Sequence, residues 1–264
     1  MISSRDNARV KRWAKLQQDV RFRREEGKAI VEGPHLVAEA LQAGLEPLSL
    51  LVSESGLRQA EIQKLLADRE PVVLSDSVFR LVADADTPQG IAAEIAIPHI
   101  EARGHCVFLE GVQDPSNVGA IVRTAAAFGA GEMVLDRACA DAWAPKTLRA
   151  GMGGHFRLAI RQVPDLGNEL GRFQGKLVCT AVRDATPLRE ADLQTRLGWI
   201  FGAEGQGVSA ATARRAELTV MIPISPGTES LNVAAAAAIC LYEAFSRQKN
   251  YDPDPEFSRP GAGS

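Results

Sequence analysis

The chain has 264 residues, a net charge of −3 and an isoelectric point near 5.9. An apolar fraction of 45% and a charged fraction of 24% are ordinary for a globular protein, and they exclude a disordered or fibrous chain. The slightly acidic balance also excludes a uniformly basic coat protein for nucleic acids, so any polyanionic partner must be bound locally.

The first 28 residues are basic, although the whole chain is not. They carry nine Lys or Arg residues against four Asp or Glu residues, a surplus of five. Such a run is most often the solvated face of a helix, so a role in binding a polyanion needs support from elsewhere.

Residues 28 to 97 alternate between apolar runs and amphipathic stretches. KAIVEG, LSLLVS, PVVLSD and GIAAEIAI have the composition of strands, whereas PHLVAEALQAG, GLRQAEIQKLLAD and SVFRLVAD have the period of helices. We predict a small α/β domain over residues 1–98, with residues 1–28 as its basic segment. The pattern breaks between Pro98 and His105, and we place the domain boundary there.

A second series of strands and helices follows, and we assign residues 105–248 to a second domain. Its strand candidates alternate with helical stretches, which predicts a mostly parallel sheet covered by helices on both faces. The candidates are CVFLEGV, GEMVLD, RLAIRQV, KLVCTAV, LGWIFGAE and LTVMIPI. Ligands of such sheets bind beyond the carboxyl ends of the strands. Residues 249–264 are rich in Pro, Gly and acidic residues, so we expect a flexible tail there.

The cysteines and histidines indicate neither disulfides nor a metal site. No C-x-x-C pair occurs and the four histidines do not fall at metal-ligand spacings, so we expect no metal ion and four reduced thiols in the core: Cys106, Cys139, Cys179 and Cys240. The start of the chain has no apolar signal region, and its longest apolar run is far shorter than the roughly 18 residues of a membrane span. A cytoplasmic protein is therefore expected.

A glycine-rich stretch, GWIFGAEGQGVS, overlaps and extends the strand candidate that begins at Leu197. The spacing of Gly202, Gly205 and Gly207 matches neither a P-loop nor a dinucleotide fingerprint. Glu204 would repel a phosphate, whereas a cationic or neutral polar ligand could bind beside it. Taken alone, the stretch is best interpreted as a plain tight turn.

Two further strand ends carry polar residues ahead of a helix. Asn117 and Arg123 belong to PSNVGAIVRTAAAFG, and Ser230 and Asn232 precede the alanine-rich VAAAAAICLYEAF. In isolation Asn117 and Ser230 are best interpreted as helix caps and Arg123 as a member of a surface ion pair. The alanines alone indicate only close helix packing.

Together, the three stretches NVGAIVRTAAAFG, FGAEGQGVS and IPISPGTESLNVAAAAAICLYEA resemble, in this order, the three motifs of the SpoU/TrmH family of RNA 2′-O-ribose methyltransferases. APKTLRAGMGGHF resembles the family's segment between the first two motifs. The resemblance covers residues 105 to 246. RFRREEGKAIVEGPHLVAEALQAG is similar, more loosely, to the ribosomal-protein-like substrate-binding domain of many members.

The resemblance implies a SPOUT trefoil-knot methyltransferase domain of the α/β class, with a mostly parallel sheet, preceded by a small ribosomal-protein-like α/β substrate-binding domain. It implies a homodimer, with the small-residue helix 233–245 as a candidate contact, and S-adenosylmethionine as the cofactor. The cofactor-binding residues would be Gly202, Ala203, Glu204, Gly207, Ile222, Leu231 and Asn232. The catalytic residues would be Asn117, Arg123, Glu204, Ser230 and Asn232. The RNA-binding residues would be Arg21, Arg23, Arg24, Lys28 and Arg123.

A ribose hydroxyl must be positioned and must lose a proton as it attacks a methyl group. The resemblance gives Arg123 the leading role, but a guanidinium normally stays protonated and acts as a donor. We therefore prefer Arg123 as a clamp on the phosphate next to the target ribose, with a role as base left open. rRNA is the expected substrate ahead of tRNA.

Three alternative functions remain to be compared with this one. A SPOUT enzyme could methylate a base nitrogen instead of the ribose. A non-catalytic RNA-binding or assembly factor could retain the fold and its cofactor. A nucleotide-dependent oxidoreductase is disfavoured by the glycine spacing.

Overall fold

A computed structural model describes residues 1–247. The expected tail over residues 249–264 and the last residue of the predicted second domain lie outside the described residues. Within the described part, no helix is both long and apolar enough to cross a membrane.

The first part of the chain folds around a four-stranded sheet in the order β1-β4-β2-β3. β4 runs antiparallel to β1 and β2, and β2 runs parallel to β3. The strands are β1 (Lys28–Glu32), β2 (Ser49–Ser53), β3 (Val72–Leu74) and β4 (Ile91–Ala96). The helices are α1 (Ala8–Gln18), α2 (Val20–Glu26), α3 (Pro34–Gln42), α4 (Ala60–Leu66) and α5 (Asp76–Val82), with a 3₁₀ turn at Gly56–Arg58. The predicted α/β unit is therefore observed strand by strand.

The basic segment forms α1 and α2 and packs on this sheet through one apolar stripe. Val10, Trp13 and Leu16 recur every three residues, and all three are buried in a cluster with side chains of α5. Asp19 caps α2 by accepting hydrogen bonds from the backbone N–H groups of Arg21 and Phe22. Most basic side chains of the segment consequently face solvent.

The second part of the chain contains a seven-stranded sheet in the order β7-β6-β5-β10-β8-β11-β9, and all its pairs are parallel. The strands are β5 (His105–Glu110), β6 (Ala130–Leu135), β7 (Ala159–Gln162), β8 (Lys176–Thr180), β9 (Thr186–Pro187), β10 (Leu197–Gly202) and β11 (Leu218–Met221). The helices are α6 (Pro115–Ala127), α7 (Pro145–Gly151), α8 (Leu166–Arg172), α9 (Ala210–Ala213) and α10 (Val233–Ser246), with 3₁₀ turns at Gly154–Phe156 and Leu188–Glu190.

All six predicted strands are present, and the predicted α/β class with a parallel sheet is confirmed. The seventh strand, β9, was not predicted because two residues carry no periodic pattern. The proposed domain boundary falls in the connection between β4 and β5.

Both faces of the large sheet are buried. Along β10, Trp199 and Phe201 point into the cluster beneath α6 and α10, and Ile200 points into the cluster beneath α8. The prediction of four buried, unpaired thiols is confirmed. Burial raises the pKa of the Cys139 and Cys240 thiols to about 12, which keeps them protonated.

The two parts of the chain share one apolar cluster, which includes Val31 of β1 and Leu109 of β5. Ion pairs add to this contact at Arg149–Asp84 (2.7 Å), Arg157–Glu39 (3.2 Å) and Arg23–Asp141 (2.6 Å). The small domain therefore packs directly on the segment between β6 and β7.

Candidate cofactor and catalytic site

A cleft opens at the carboxyl ends of β8, β10 and β11, the edge of the sheet where the glycine-rich stretch lies. It contains about 840 Å³ of space, open solvent included. Six of the seven predicted cofactor-binding residues line it: Gly202, Ala203, Glu204, Gly207, Ile222 and Leu231. Ser230 lines it too, whereas Asn232 lies just outside the lining.

The charge of the cleft suits a cofactor without phosphate. Glu204 is the only charged side chain among the described residues that line it, and no Lys or Arg belongs to them. Enclosed phosphates are normally paired with cationic side chains, which the described lining residues lack. The residues present therefore fit S-adenosylmethionine, which carries a positive sulfonium and no phosphate.

The glycines let the stretch after β10 fold back on itself. Ala203 and Gly207 form a backbone bridge, in which the Gly207 N–H donates to the Ala203 carbonyl at 2.8 Å. A Cβ atom on Gly202 would overlap the backbone of Gly207 and Val208. Gly205 and Gly207 have φ values of 86° and 66°, in the region that favours glycine. The stretch is a closed loop that lines the cleft.

Three of the predicted catalytic residues meet at this loop although they are far apart in sequence. The Asn117 amide donates to a carboxylate oxygen of Glu204, and the Asn232 amide donates to the Asn117 carbonyl oxygen at 3.0 Å. These two hydrogen bonds span 87 and 115 residues of sequence. The Asn117 side chain of the first motif thus contacts both the second motif, at Glu204, and the third motif, at Asn232.

The helix caps differ from those considered for the isolated motifs. Asp114 caps α6 and Asn232 caps α10, so Asn117 and Ser230 are not caps. The Asn232 side chain accepts from the backbone N–H groups of Ala234 and Ala235 while its amide binds Asn117. Ser230 makes no hydrogen bond to any residue in the range 1–247.

Arg123 lies on α6, outside the lining of the cleft of its own chain. Its side chain is exposed and has no hydrogen bond or ion pair with any described residue, so the surface ion pair considered for it is not observed. The turn after α7 packs against its backbone, because a Cβ atom on Gly154 would lie 3.1 Å from the Arg123 Cα. The guanidinium is therefore exposed on a backbone that is held in place.

The predicted RNA-binding residues separate into two kinds. Arg21 and Arg24 are exposed, and Arg24 donates to the Gln162 amide oxygen at 2.6 Å. Lys28 is half-buried and pairs with Glu26 at 3.2 Å. Arg21 also lines a groove with Lys11 and Lys15, which motif reasoning did not single out.

Arg23 does not fit the prediction of an RNA contact. Its side chain is only 5% exposed, and it binds Asp141 as well as the backbone carbonyls of Leu16 and Gln17. A guanidinium with these donors occupied is not available to a phosphate. The expected role is therefore wrong for Arg23, which instead joins the two domains.

Sequence reasoning also missed part of the cleft and, elsewhere in the domain, one buried histidine. Thr180, Ala181 and Val182 line the cleft from the end of β8, a position that the carboxyl-end rule could have indicated. His155 is fully buried in the turn after α7, with Nε2 at 2.8 Å from the Ala142 carbonyl oxygen. Since that oxygen only accepts, Nε2 carries the hydrogen. Burial lowers the pKa of His155 to about 4.

The model of the SpoU rRNA Methylase family matches residues 104–242, more than half of the chain. A second model, the MRM3-like substrate binding domain, matches residues 7–93. The chain belongs to the SpoU rRNA methylase family. The family expected from the motifs is confirmed, and so is the enzyme class, a methyltransferase that acts on RNA.

Proteins similar to this chain align with it over nearly its whole length. The 23S rRNA (guanosine(2553)-2′-O)-methyltransferase RlmP of Bacillus subtilis is 34% identical over 91% of this chain and 97% of its own. The AdoMet-bound rRNA methyltransferase of Sinorhizobium meliloti is 28% identical with a TM-score of 0.75, over 92% and 96% of the two chains. The SpoU methyltransferase AviRb of Streptomyces viridochromogenes, solved with AdoMet, is 25% identical with a TM-score of 0.78, over 91% and 98%.

Proposed function

We propose that this protein transfers a methyl group from S-adenosylmethionine to a ribose 2′-hydroxyl of rRNA. The observation that carries the proposal is the network of Asn117, Glu204 and Asn232 beside a cleft whose described lining residues include no cationic side chain. The relatives solved with AdoMet, and the one named as a 23S rRNA 2′-O-methyltransferase, support the cofactor, the substrate class and the acceptor atom. rRNA as substrate is also our reason for proposing a cytoplasmic location.

The cleft would hold the cofactor through backbone groups more than through side chains. S-adenosylmethionine, when bound, supplies a methyl group made electrophilic by its positive sulfonium. The close approach of the backbone at Gly202 and the apolar side chains of Ile222 and Leu231 suit its adenosine and methionine parts. Glu204 contributes a negative charge at the wall of the cleft, and Asn117 fixes the direction of that carboxylate.

Arg123 is the residue that we assign to the RNA. An exposed guanidinium without a protein partner among the described residues can form a bidentate contact with a phosphate. Such a clamp next to the target ribose would hold the hydroxyl in line with the methyl group and favour loss of its proton. Because Arg123 lies outside the cleft of its own chain, we propose that it serves the cleft of a second subunit.

A homodimer would bring the two together, and α10 is the proposed contact. Ile239 and Tyr242 on α10 are exposed apolar side chains, 40% and 56% accessible, and Tyr242 contacts the Phe128 ring at the end of α6. Light scattering should give twice the chain mass. Replacing Ile239 and Tyr242 with Glu should give a folded monomer that does not methylate RNA. A monomer with full activity would contradict the dimeric site.

The small domain would bind RNA phosphates through α1 and α2. Arg21 and Arg24, with Lys11 and Lys15 near Arg21, give this surface a local positive charge on an otherwise acidic chain. Lys28 is half-buried and is partly neutralised by Glu26. We propose that this surface binds the phosphates of structured rRNA.

The deciding experiment is transfer of a labelled methyl group to total rRNA and tRNA, followed by mass analysis of the digested nucleosides. We expect a 2′-O-methylnucleoside in rRNA at one position. A methyl group on a base would favour the base-nitrogen enzyme, and binding without transfer would favour the assembly factor. We expect transfer in the presence of a chelator, since no group of three His, Cys, Asp or Glu residues among residues 1–247 is placed to hold a metal.

A further inference from the structure

The loop that lines the cofactor cleft, residues 203–209, needs an anchor at its far end. It leaves β10 at Gly202 and contributes five residues to the cleft lining: Ala203, Glu204, Gly205, Gly207 and Val208. Its own bridge between Ala203 and Gly207 closes its first half. The Glu204 carboxylate is tied to Asn117. What fixes the second half is a carboxylate on the neighbouring strand.

Glu110, the last residue of β5, makes this contact. Its Oε2 accepts a hydrogen bond from the Ser209 backbone N–H at 2.8 Å, and its Oε1 accepts from the Ser209 hydroxyl at 2.8 Å and the Thr212 hydroxyl at 2.7 Å. All three hydrogen bonds involve an ionisable carboxylate and are short, which makes them strong for their type. Glu110 also pairs in register with Gly202 across the β5–β10 ladder.

One residue therefore holds both ends of the loop. The backbone of Glu110 lies opposite the residue where the loop begins, and its side chain binds the residue where the loop ends. The Ser209 hydroxyl in turn accepts from the Thr212 N–H, so the start of α9 is part of the same network. Glu110, Ser209 and Thr212 do not line the cleft themselves.

We propose that Glu110 is a positioning residue for cofactor binding: it closes the 203–209 loop so that its backbone and the Glu204 carboxylate face the cleft. The inference rests on the proposed function, since it concerns the same cofactor. Without the anchor the loop would have to be ordered when the cofactor binds, and the entropy of ordering would lower the affinity. A residue that only stabilised the fold would not change the affinity of the folded protein.

The test is calorimetric titration of S-adenosylmethionine into the full chain without RNA. Glu110→Gln keeps the size of the side chain but replaces one acceptor oxygen with an NH2 donor, so it cannot accept both the N–H and the hydroxyl bond of Ser209. We expect its Kd to rise roughly tenfold, the worth of about one charge-assisted hydrogen bond. Thr212→Val should raise the Kd less, and its effect should nearly vanish in the Glu110→Gln background.

The matched control is Glu132→Gln. Glu132 is a buried strand carboxylate on β6 that accepts from Arg161 at 2.7 and 2.9 Å and does not line the cleft. It should lower the melting temperature and leave the Kd unchanged. An unchanged Kd in Glu110→Gln, or an equal rise in Glu132→Gln, overturns the role of Glu110.

Two further outcomes keep the inference separate from the function on which it rests. If Glu110→Gln does not fold, Ser209→Ala and Thr212→Val still remove single donors, and an unchanged Kd in both contradicts the inference. If the unaltered protein binds no S-adenosylmethionine, the proposed function itself fails.

Discussion

Asn117 and Arg123 lie six residues apart on one helix, yet the structure gives them different surroundings. Asn117 is engaged on both sides of its amide, by Glu204 and by Asn232. Arg123 is exposed and has no partner among the described residues. Motif order brought both residues to attention, but only the fold separates a residue that organises the site from one that is free to contact a substrate.

Replacing Arg123 with Ala should abolish methyl transfer while the affinity for S-adenosylmethionine changes little. The reason is that its proposed partner is an RNA phosphate and that it does not line the cleft. Single-turnover transfer and calorimetry would measure the two effects. Arg172→Ala, another exposed arginine, on α8, serves as the control and should leave both unchanged. Equal loss of cofactor binding in Arg123→Ala would assign Arg123 to the cofactor pocket.

His155 should make stability depend on pH. Its folded pKa of about 4 lies below the ordinary value of 6.5, so the unfolded chain binds more protons between these values. His155 therefore has no effect above about pH 6.5, lowers stability as the pH falls from 6.5 to 4, and adds no further loss below that.

The loss from this one group should be about 3 kcal/mol in total. Urea unfolding at several pH values would measure it. His155→Gln can keep a donor toward the Ala142 carbonyl but cannot titrate, so its stability curve should be flatter in this window. A slope identical to that of the unaltered protein would contradict the assignment.

The caps show what the sequence could and could not indicate about single residues. Asp114 precedes Pro115, and proline is favoured at the first helical position, so this signal could have placed the cap correctly. Asn232 as a cap was not distinguishable from Ser230, because both types cap helices and only one residue lies between them. The bond from Asn232 to Asn117 spans 115 residues and has no local signal.

At the level of elements, the six longer strands of the large sheet were predictable because each is an apolar run flanked by helical periodicity. The glycine-rich loop was ambiguous for a physical reason. Its shape depends on backbone approach between Gly202 and Gly207, and the spacing of glycines does not reveal which backbone atoms meet. The charge of Glu204 disfavoured phosphate ligands and was compatible with a cationic ligand such as S-adenosylmethionine.

Replacing Gly202 with Ala should displace the loop, because the added Cβ atom would overlap the backbone of Gly207 and Val208. We expect a loss of roughly 1–3 kcal/mol in stability, typical of overpacking, and a marked loss of cofactor affinity. Thermal unfolding and calorimetry would measure both.

Gly171→Ala on α8 is the matched control for that change, because its Cβ atom would meet only the Arg215 side chain at 3.4 Å. A helical Gly→Ala change usually stabilises by roughly 0.5–1 kcal/mol. An unchanged affinity in Gly202→Ala would show that the close approach at the loop is not needed for binding.

At the scale of the whole molecule, Arg23 shows that a count of charges along the sequence does not identify which basic residues are exposed. A basic run was read correctly from the sequence, but the sequence does not show that one of its members binds Asp141, 118 residues away. The small domain and the catalytic domain are joined by this pair and by a shared apolar cluster. The exposed members of the run remain the proposed contacts to RNA.

Replacing Arg23 with Ala should lower the free energy of unfolding by up to roughly 3 kcal/mol, because it leaves the carboxylate of Asp141, 13% exposed, without its partner. Arg21→Ala should change stability by less than about 0.5 kcal/mol, since that side chain is exposed. Urea unfolding would measure both variants.

The two variants, Arg21→Ala and Arg23→Ala, should affect RNA binding in the opposite order. Arg21→Ala should lower the slope of log affinity against log salt by roughly 0.7–0.9 if it contacts one phosphate, and Arg23→Ala should leave the slope of the folded protein unchanged. Similar losses of stability in the two variants would contradict the division of the basic segment.

The most direct test of ribose methylation is to remove the proposed acceptor atom. An RNA with a single 2′-deoxy nucleotide at the mapped position lacks that hydroxyl. Methyl transfer should vanish, because the nucleophile is missing. Binding should weaken only by about 0.5–1.5 kcal/mol, the worth of one hydrogen bond among many contacts to phosphates. Transfer of a methyl group to that deoxynucleotide would show that the acceptor is a base atom and would contradict ribose methylation.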